Sequence, residues 1–251
     1  MSSQQDSATV VETTPVSEAK YCLMGLPDVG LVGPITVAHI IRFLKMEECC
    51  HVESDLLPPV VVVHKGLPKS PVRVFRKDDL LAVTSEIPIH PRAIPAIAIA
   101  LMEWLESKKI QLLVSVSGFP VQNRLEIEKP LVYAVGSEEP LKETISRAGL
   151  ELFEEGFIVG THAYMLAESK SRRLRNILLL SQSHLNYPDP EAAVSAIQAL
   201  EGLLGIQVDT SELEEQSEQI RLMTRELMKR TAQTMRQMGK GQELELPAMY
   251  R

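Results

Sequence analysis

The chain has 251 residues, of which 45% are hydrophobic, enough for one large or two small domains with an ordinary core. Its 33 acidic and 26 basic residues give a net charge of −7, which disfavours binding to a phosphate backbone, so we expect no nucleic-acid partner. The most apolar run, Ala93 to Met102, is about half the roughly 20 residues that a membrane span needs, so we expect no membrane segment.

The N-terminal residues 1–19 are rich in Ser, Thr, Gln and Glu. A segment of this composition buries too little apolar surface to offset its ordering entropy, so we predict a disordered arm. It also lacks the basic start and apolar stretch of a signal peptide. The three cysteines, two of them adjacent, do not form a disulfide framework. Together these features predict a cytoplasmic protein.

Residues 20–210 are predicted to form a single α/β domain. Short apolar runs alternate with helical segments, which is typical of a largely parallel sheet covered by helices on both faces. The stretch from Val60 to Thr84 contains strands without intervening helices, so we expect a mixed sheet with an antiparallel part. The predicted strands are 21–24, 60–63, 72–75, 80–84, 112–116, 131–135 and 177–180, and the predicted helices are 35–44, 93–106, 141–148, 161–169 and 189–204.

A glycine loop, Gly25-Leu-Pro-Asp-Val-Gly-Leu-Val-Gly33, connects the first predicted strand to the first predicted helix. Glycines in this position can bring backbone amides close to a phosphate. The loop lacks the Lys and Ser/Thr of a phosphate loop, and an aspartate stands where the dinucleotide pattern needs glycine. A structural role in a tight turn and a ligand-binding role both remain open for four residues: Gly25, Asp28, Gly30 and Gly33.

The segment Asp189-Pro190-Glu191 predicts a helix start. An aspartate caps free backbone amides, a proline suits the first helical position, and a glutamate favours the positive end of the helix dipole.

Residues 211–238 are predicted to form one long helix. Acidic residues lie early and basic residues late, an order that suits the helix dipole. Leu213, Ile220 and Leu227 are spaced by seven and form a thin apolar seam. The helix then either lies on its own domain or packs against neighbouring subunits.

Residues 239–251 are predicted to form a flexible tail, because they contain two glycines and a proline. Fully extended, the tail would reach about 43–47 Å. It ends in Met249, Tyr250 and Arg251. The methionine can fill an apolar groove, the tyrosine brings a flat ring with one hydroxyl, and the terminal carboxylate can pair with a lysine or accept backbone amides.

Patterns for catalysis and metal binding are missing from the sequence. The six histidines are scattered, and Cys49-Cys50-His51 is too compressed for a tetrahedral zinc site. The Gly-x-Ser-x-Gly nucleophile pattern does not occur. We therefore predict that the chain has no catalytic residue and binds no metal or cofactor, so that it is not an enzyme.

Three stretches resemble the archaeal proteasome assembly chaperone family: the glycine loop, the motif Gly156-Phe-Ile-Val-Gly160, and Asn186-Tyr-Pro-Asp-Pro-Glu-Ala-Ala193 with the following Leu203 to Leu213. The resemblance covers residues 20–225. It implies a single α/β domain similar in layout to purine nucleoside phosphorylases, without known catalysis. It also implies tetramer-like homo-oligomers with their C-terminal segments gathered on one side.

The C-terminus resembles that of the family's B-type homologue, which carries a hydrophobic–Tyr–any tripeptide. In proteasome activators such tails enter pockets between α-subunits of the core particle. The resemblance implies that Met249 is the hydrophobic member, Tyr250 the tyrosine and Arg251 the terminal residue. We therefore expect a proteasome assembly chaperone, a core particle activator, or both.

Two alternatives remain. One is a small-molecule or nucleotide-binding enzyme of nucleoside-phosphorylase-like fold that uses the Gly25–Gly33 loop. The other is a purely structural oligomer that makes no contact with the proteasome.

Overall fold

The structure, a computed structural model, describes residues 7–240 and the backbone of residues 244–245. The strands are β1 (Ala8–Glu12), β2 (Tyr21–Gly25), β3 (Glu47–Ser54), β4 (Val62–His64), β5 (Leu67–Lys69), β6 (Val72–Lys77), β7 (Leu80–Ser85), β8 (Leu112–Pro120), β9 (Val132–Gly136), β10 (Glu151–Leu152), β11 (Gly156–Phe157), β12 (Asn176–Ser183) and β13 (Leu244–Glu245). The helices are α1 (Val32–Phe43), α2 (Ile94–Ser107), α3 (Leu141–Arg147), α4 (Thr161–Arg172), α5 (Pro190–Leu204), α6 (Ser211–Glu215) and α7 (Ser217–Met238).

Nine strands form one mixed sheet in the order β1-β3-β6-β7-β2-β8-β12-β9-β10. The four central strands β7, β2, β8 and β12 are parallel to one another. On one side β6, β3 and β1 continue the sheet in antiparallel pairs, and on the other β9 runs antiparallel to β12. The predicted fold class, a mixed α/β sheet with an antiparallel part in the segment before Thr84, is confirmed.

Helices cover both faces of the sheet because successive strand residues point to opposite sides. Leu23 and Val114 contribute to a core shared with α1, α3, α5, α6 and α7. Their neighbours Cys22 and Leu113 contribute to a second core shared with α2 and α4. The sheet is thus the middle layer of three, as the alternation of strands and helices predicts.

The predicted disordered arm is wrong for residues 7–19, and residues 1–6 lie outside the described part. Strand β1 pairs antiparallel with β3, and both Val16 and Ala19 are buried. The indole nitrogen of Trp104 donates a hydrogen bond to the carboxylate of Glu12 at 2.9 Å. Residues 8–12 form a strand because the edge of β3 supplies backbone hydrogen-bond partners for them. The composition of the arm alone gives no sign of these partners.

Two strand predictions also differ from the structure. The polar-looking segment Glu47–Ser54 was not predicted, yet it forms β3, whose buried residues are Cys49, Cys50 and Val52. The predicted strand 60–63 corresponds to β4, which pairs with β5 in a separate two-stranded hairpin.

The single long helix predicted over residues 211–238 is two helices in the structure. Gln216 separates α6 from α7, with φ −103° and ψ 16°. Leu213 of the predicted seam is buried, and α7 lies on its own domain through Met228, Thr231 and Met235. The helix therefore contacts its own domain, and its packing against neighbouring subunits stays a prediction.

Among the residues that the structure describes, no helix combines the length and hydrophobicity that crossing a bilayer requires.

Candidate functional site

The glycine loop is buried along its whole length from Gly25 to Gly33. A Cβ atom added to Gly25 would lie 2.2 Å from the carbonyl oxygen of Gly33. One added to Gly33 would lie 2.4 Å from the carbonyl oxygen of Val116 in β8. Backbone therefore packs directly on backbone where β2 turns into α1, and only glycine permits so close an approach.

Gly30 joins the glycine loop to the start of α5. Its φ is +59°, and a Cβ atom there would lie 1.9 Å from Oγ of Ser183. Its carbonyl oxygen accepts a hydrogen bond from the backbone amide of Asp189 at 2.8 Å. The Asp189 carboxylate accepts from the amide of Ala192 at 3.1 Å, which confirms the predicted helix cap. The same carboxylate holds Arg124 in a buried two-point ion pair at 2.7 and 2.9 Å.

Asp28 is the centre of a second buried polar cluster. It is 3% exposed, and its Oδ2 accepts a hydrogen bond from the Ser117 hydroxyl at 2.9 Å. Nζ of Lys240 lies 2.7 Å from the same oxygen, and this lysine is only 1% exposed. A buried carboxylate and a buried ammonium each need a counter-charge, because transfer of either ion alone out of water is very unfavourable. The loop after β2 and the residue after Gly239 at the end of α7 are therefore joined by an ion pair.

His162, at the start of α4, completes this cluster. Its Nε2 atom lies 4.0 Å from Oδ2 of Asp28. Burial lowers the pKa of His162 from 6.5 to about 4; the negative charge of Asp28 opposes this shift, and the positive charge of Lys240 adds to it. The ring is therefore neutral near pH 7, and the positive charge beside Asp28 is carried by Lys240.

The motif Gly156-Phe-Ile-Val-Gly160 forms the other wall around Lys240. A Cβ atom at Gly160, where φ is +85°, would lie 3.2 Å from Cε of Lys240 and 3.1 Å from Sδ of Met238. At the other end of the motif, β11 pairs antiparallel with β13. We call Asp28, Ser117, Gly160 and His162 the socket, and Lys240 with β13 the tail root. Two of the three stretches singled out in the sequence thus meet at the point where the tail begins.

The socket holds charge and does not have the geometry of a nucleophilic triad. In such a triad the histidine stands between serine and aspartate and takes the serine proton. Here Ser117 donates directly to Asp28, and the carboxylate is already paired with Lys240. The arrangement is suited to anchoring a lysine side chain.

The predicted site residues fall into two groups. Gly25, Asp28, Gly30 and Gly33 lie together in the buried loop, whereas the tail tripeptide 249–251 lies outside the described residues. Sequence reasoning missed Lys240. The only sign of it in the sequence is Asp28, an aspartate among apolar loop residues. Such an aspartate indicates that a counter-ion lies elsewhere in the chain, but it does not show which residue this is.

Within the described residues, no group of three or more His, Cys, Asp or Glu side chains is arranged to hold a metal ion.

Known proteins resemble this chain over most of its length. An uncharacterized protein of Methanocaldococcus jannaschii is 26% identical over 223 residues, which cover 88% of this chain and 91% of that protein. The crystal structure of Pyrococcus furiosus PbaA, an archaeal homolog of proteasome-assembly chaperone, matches with a TM-score of 0.83 and 24% identity, covering 89% of this chain and 98% of PbaA. That of Pyrococcus furiosus PbaB, an archaeal proteasome activator, matches with a TM-score of 0.74 and 23% identity, covering 88% and 99%.

These structural likenesses establish a shared fold, and the TM-score is higher for PbaA than for PbaB. The fold comparison therefore does not favour the family's B-type homologue, and the resemblance to that homologue depends on the C-terminal tripeptide 249–251 alone. The sequence model of the PAC2 family matches residues 22–228, which include the glycine loop, the Gly156–Gly160 motif and the start of α5. Because that match spans most of its length, the chain belongs to the PAC2 family.

Proposed function

We propose that this chain is a non-enzymatic proteasome assembly chaperone or activator. In this proposal Met249, Tyr250 and Arg251 dock into pockets of the α-subunit ring of the core particle. The observation that carries it is the hydrophobic–Tyr–any C-terminus on a PAC2 body. The fold shared with PbaA, a homolog of proteasome-assembly chaperone, and with PbaB, a proteasome activator, supports it.

The position of the tail root also supports the proposal. The last described pairing ends at Glu245, so six residues follow it before the C-terminus. A short peptide that presents one apolar side chain, one aromatic ring and a free carboxylate suits a small receptor pocket.

Each tail on its own should bind weakly, because only three residues contact the receptor. In a cytoplasmic homo-oligomer of about four subunits, several tails would reach one α-ring together. Linked binding of this kind raises avidity by about 10²–10⁴ over a single site.

The glycine loop offers less support for the alternative of a nucleotide-binding enzyme. Its residues are buried against β8 and β12, and the carboxylate of Asp28 already binds Lys240. An anionic phosphate would have to displace this contact and face the carboxylate.

Binding to purified core particle and to free α-subunits tests the proposal. We expect immobilised core particle to retain the full chain and not to retain a chain that lacks residues 249–251. The variant Tyr250→Ala should bind with at least tenfold lower affinity. The matched control is Tyr187→Ala, which removes an exposed tyrosine of the body.

Equal retention of the truncated and full-length chains would show that docking does not use the tail. Peptide cleavage by the core particle then separates the two roles. Faster cleavage on adding the full chain indicates an activator, and unchanged cleavage leaves only the assembly role.

A further inference from the structure

We propose that the socket and β11 form a clamp that holds the tail root on the body and so positions the docking tripeptide. Lys240 and Asp28 are the positioning residues of this clamp. The positioning role rests on the proposed function of the tail, whereas the clamp itself can be tested without the proteasome.

The first part of the clamp is the C-terminal end of α7. Gly239 follows the helix in the left-handed conformation, with φ 72°, which is the usual helix-terminating role of glycine. The chain therefore turns sharply, and the next residue, Lys240, enters the protein instead of extending into solvent.

Burial distinguishes Lys240 from an ordinary lysine at a helix C-terminus. Such a lysine interacts with the helix dipole while its ammonium stays in water. Lys240 is 1% exposed, with its ammonium 2.7 Å from Asp28 and its Cε atom beside Gly160. Withdrawing it would leave the Asp28 carboxylate buried without its counter-charge, which is strongly unfavourable.

A second anchor follows Lys240 along the chain. Leu244 pairs with Phe157 and Glu245 pairs with Gly156 in the antiparallel β11–β13 ladder. The Gly156–Gly160 motif therefore contacts the tail root at both of its ends, since Gly160 lies against Lys240.

The two anchors shorten the part of the tail that searches for a receptor. Six residues after Glu245 reach at most about 20–22 Å, compared with about 43–47 Å for the thirteen residues from Gly239 onward. A shorter tether confines the tripeptide to a smaller volume and raises its effective concentration near a pocket within reach. From the −3/2 power dependence on tether length, the gain is about threefold for each tail.

Trypsin reports on the clamp directly, because the protease must bind the lysine side chain before it cleaves the Lys240–Gly241 bond. The folded chain is digested, and release of the peptide 241–251 is compared with cleavage after Arg73. This arginine is buried in β6, between β3 and β7, and becomes accessible only when the sheet opens, so its cleavage reports global unfolding. In Asp28→Asn we expect the ratio of the two rates to rise at least tenfold.

The matched control is Asp79→Asn, which removes a carboxylate from an exposed ion pair with Lys20. Its cleavage ratio should equal that of the wild type. A ratio that is also unchanged in Asp28→Asn overturns the clamp, including the case in which both rates rise together because the whole body unfolds.

The positioning role is tested by titrating core particle with the double variant Asp28→Asn/Lys240→Met, which leaves neither charge of the pair buried alone. We expect loss of the ion pair to release β13 as well, so that affinity falls about threefold for each engaged tail, while a free peptide of residues 246–251 competes equally against both chains. If the double variant binds as tightly as the wild type while Asp28→Asn is cleaved faster, the clamp exists without positioning the tail. If truncation of residues 249–251 also leaves binding unchanged, the proposed function itself fails and the protease result still decides on the clamp.

Discussion

Two glycines with the same backbone requirement occupy very different surroundings. Gly30 and Gly149 both have positive φ, at 59° and 71°. A Cβ atom at Gly30 would collide with Ser183, whereas one at Gly149 would meet no atom within 4 Å. Comparing the two positions separates the cost of a left-handed backbone from the cost of crowding.

Replacing each glycine with alanine should therefore give unequal losses of stability. We expect Gly149→Ala to lower the free energy of unfolding by about 1 kcal/mol, from the backbone conformation alone. Gly30→Ala should lose about 2–4 kcal/mol, because overpacking against Ser183 is added. Urea unfolding monitored by circular dichroism measures both. Equal losses would show that the loop relaxes around the extra methyl group.

His162 makes stability depend on pH. Its pKa is about 4 in the folded chain and 6.5 in its ordinary state, so between these values the unfolded chain binds the proton more strongly. The contribution of the neutral His162 ring to the free energy of unfolding is fully present above pH 6.5 and is lost as the pH falls toward 4. Between pH 7 and pH 5 the loss should be on the order of 2 kcal/mol.

The variant His162→Gln isolates this contribution, because glutamine does not titrate. We expect its free energy of unfolding to fall less between pH 7 and pH 5 than that of the wild type. The comparison of the two chains subtracts the effect of other groups, including His184, whose pKa is also lowered by burial. Identical pH dependence in both chains would contradict the assignment.

At the scale of secondary-structure elements, the start of α5 depends on one side chain with two tasks. Asp189 caps the helix through the amide of Ala192 and neutralises the buried guanidinium of Arg124. Glu191 contacts the same arginine at 2.9 Å, but its side chain is half exposed. The two carboxylates should therefore differ strongly in their effect on stability.

We expect Asp189→Ala to lower the free energy of unfolding by about 3–5 kcal/mol, since it leaves Arg124 buried without its main partner and removes the cap. The matched variant Glu191→Ala should lose about 1 kcal/mol or less, as is usual for a partly exposed ion pair. Chemical denaturation of both variants measures the difference. Similar losses in the two variants would mean that Arg124 finds another partner or reaches water.

At the scale of the whole molecule, the three stretches that resemble the family lie within the matched residues 22–228 and are linked by contacts near the tail root. The glycine loop supplies Asp28 to the socket and bonds through Gly30 to the start of α5. The Gly156–Gly160 motif lies against Lys240 and pairs with β13. If docking occurs as proposed, the body acts as a rigid base that determines where each tail starts, and the oligomer determines how many tails act together.

The sequence was sufficient for features that depend on neighbouring residues. Alternating strands and helices predicted the mixed three-layer fold, and Asp189 before a proline predicted the cap of α5, because periodicity and capping act within a few residues. The composition of the C-terminus likewise suggested docking through Met249, Tyr250 and Arg251, which stays a prediction.

Tertiary structure decided the features in which distant segments meet. Residues 8–12 of the predicted arm form β1 because they pair with the edge of β3. The predicted long helix is interrupted at Gln216, where the chain follows the surface of its own domain. Lys240 reached Asp28 because the fold brings the end of α7 beside the loop after β2. A buried charge indicates that a partner exists, but only the packing of the whole chain determines which residue provides it.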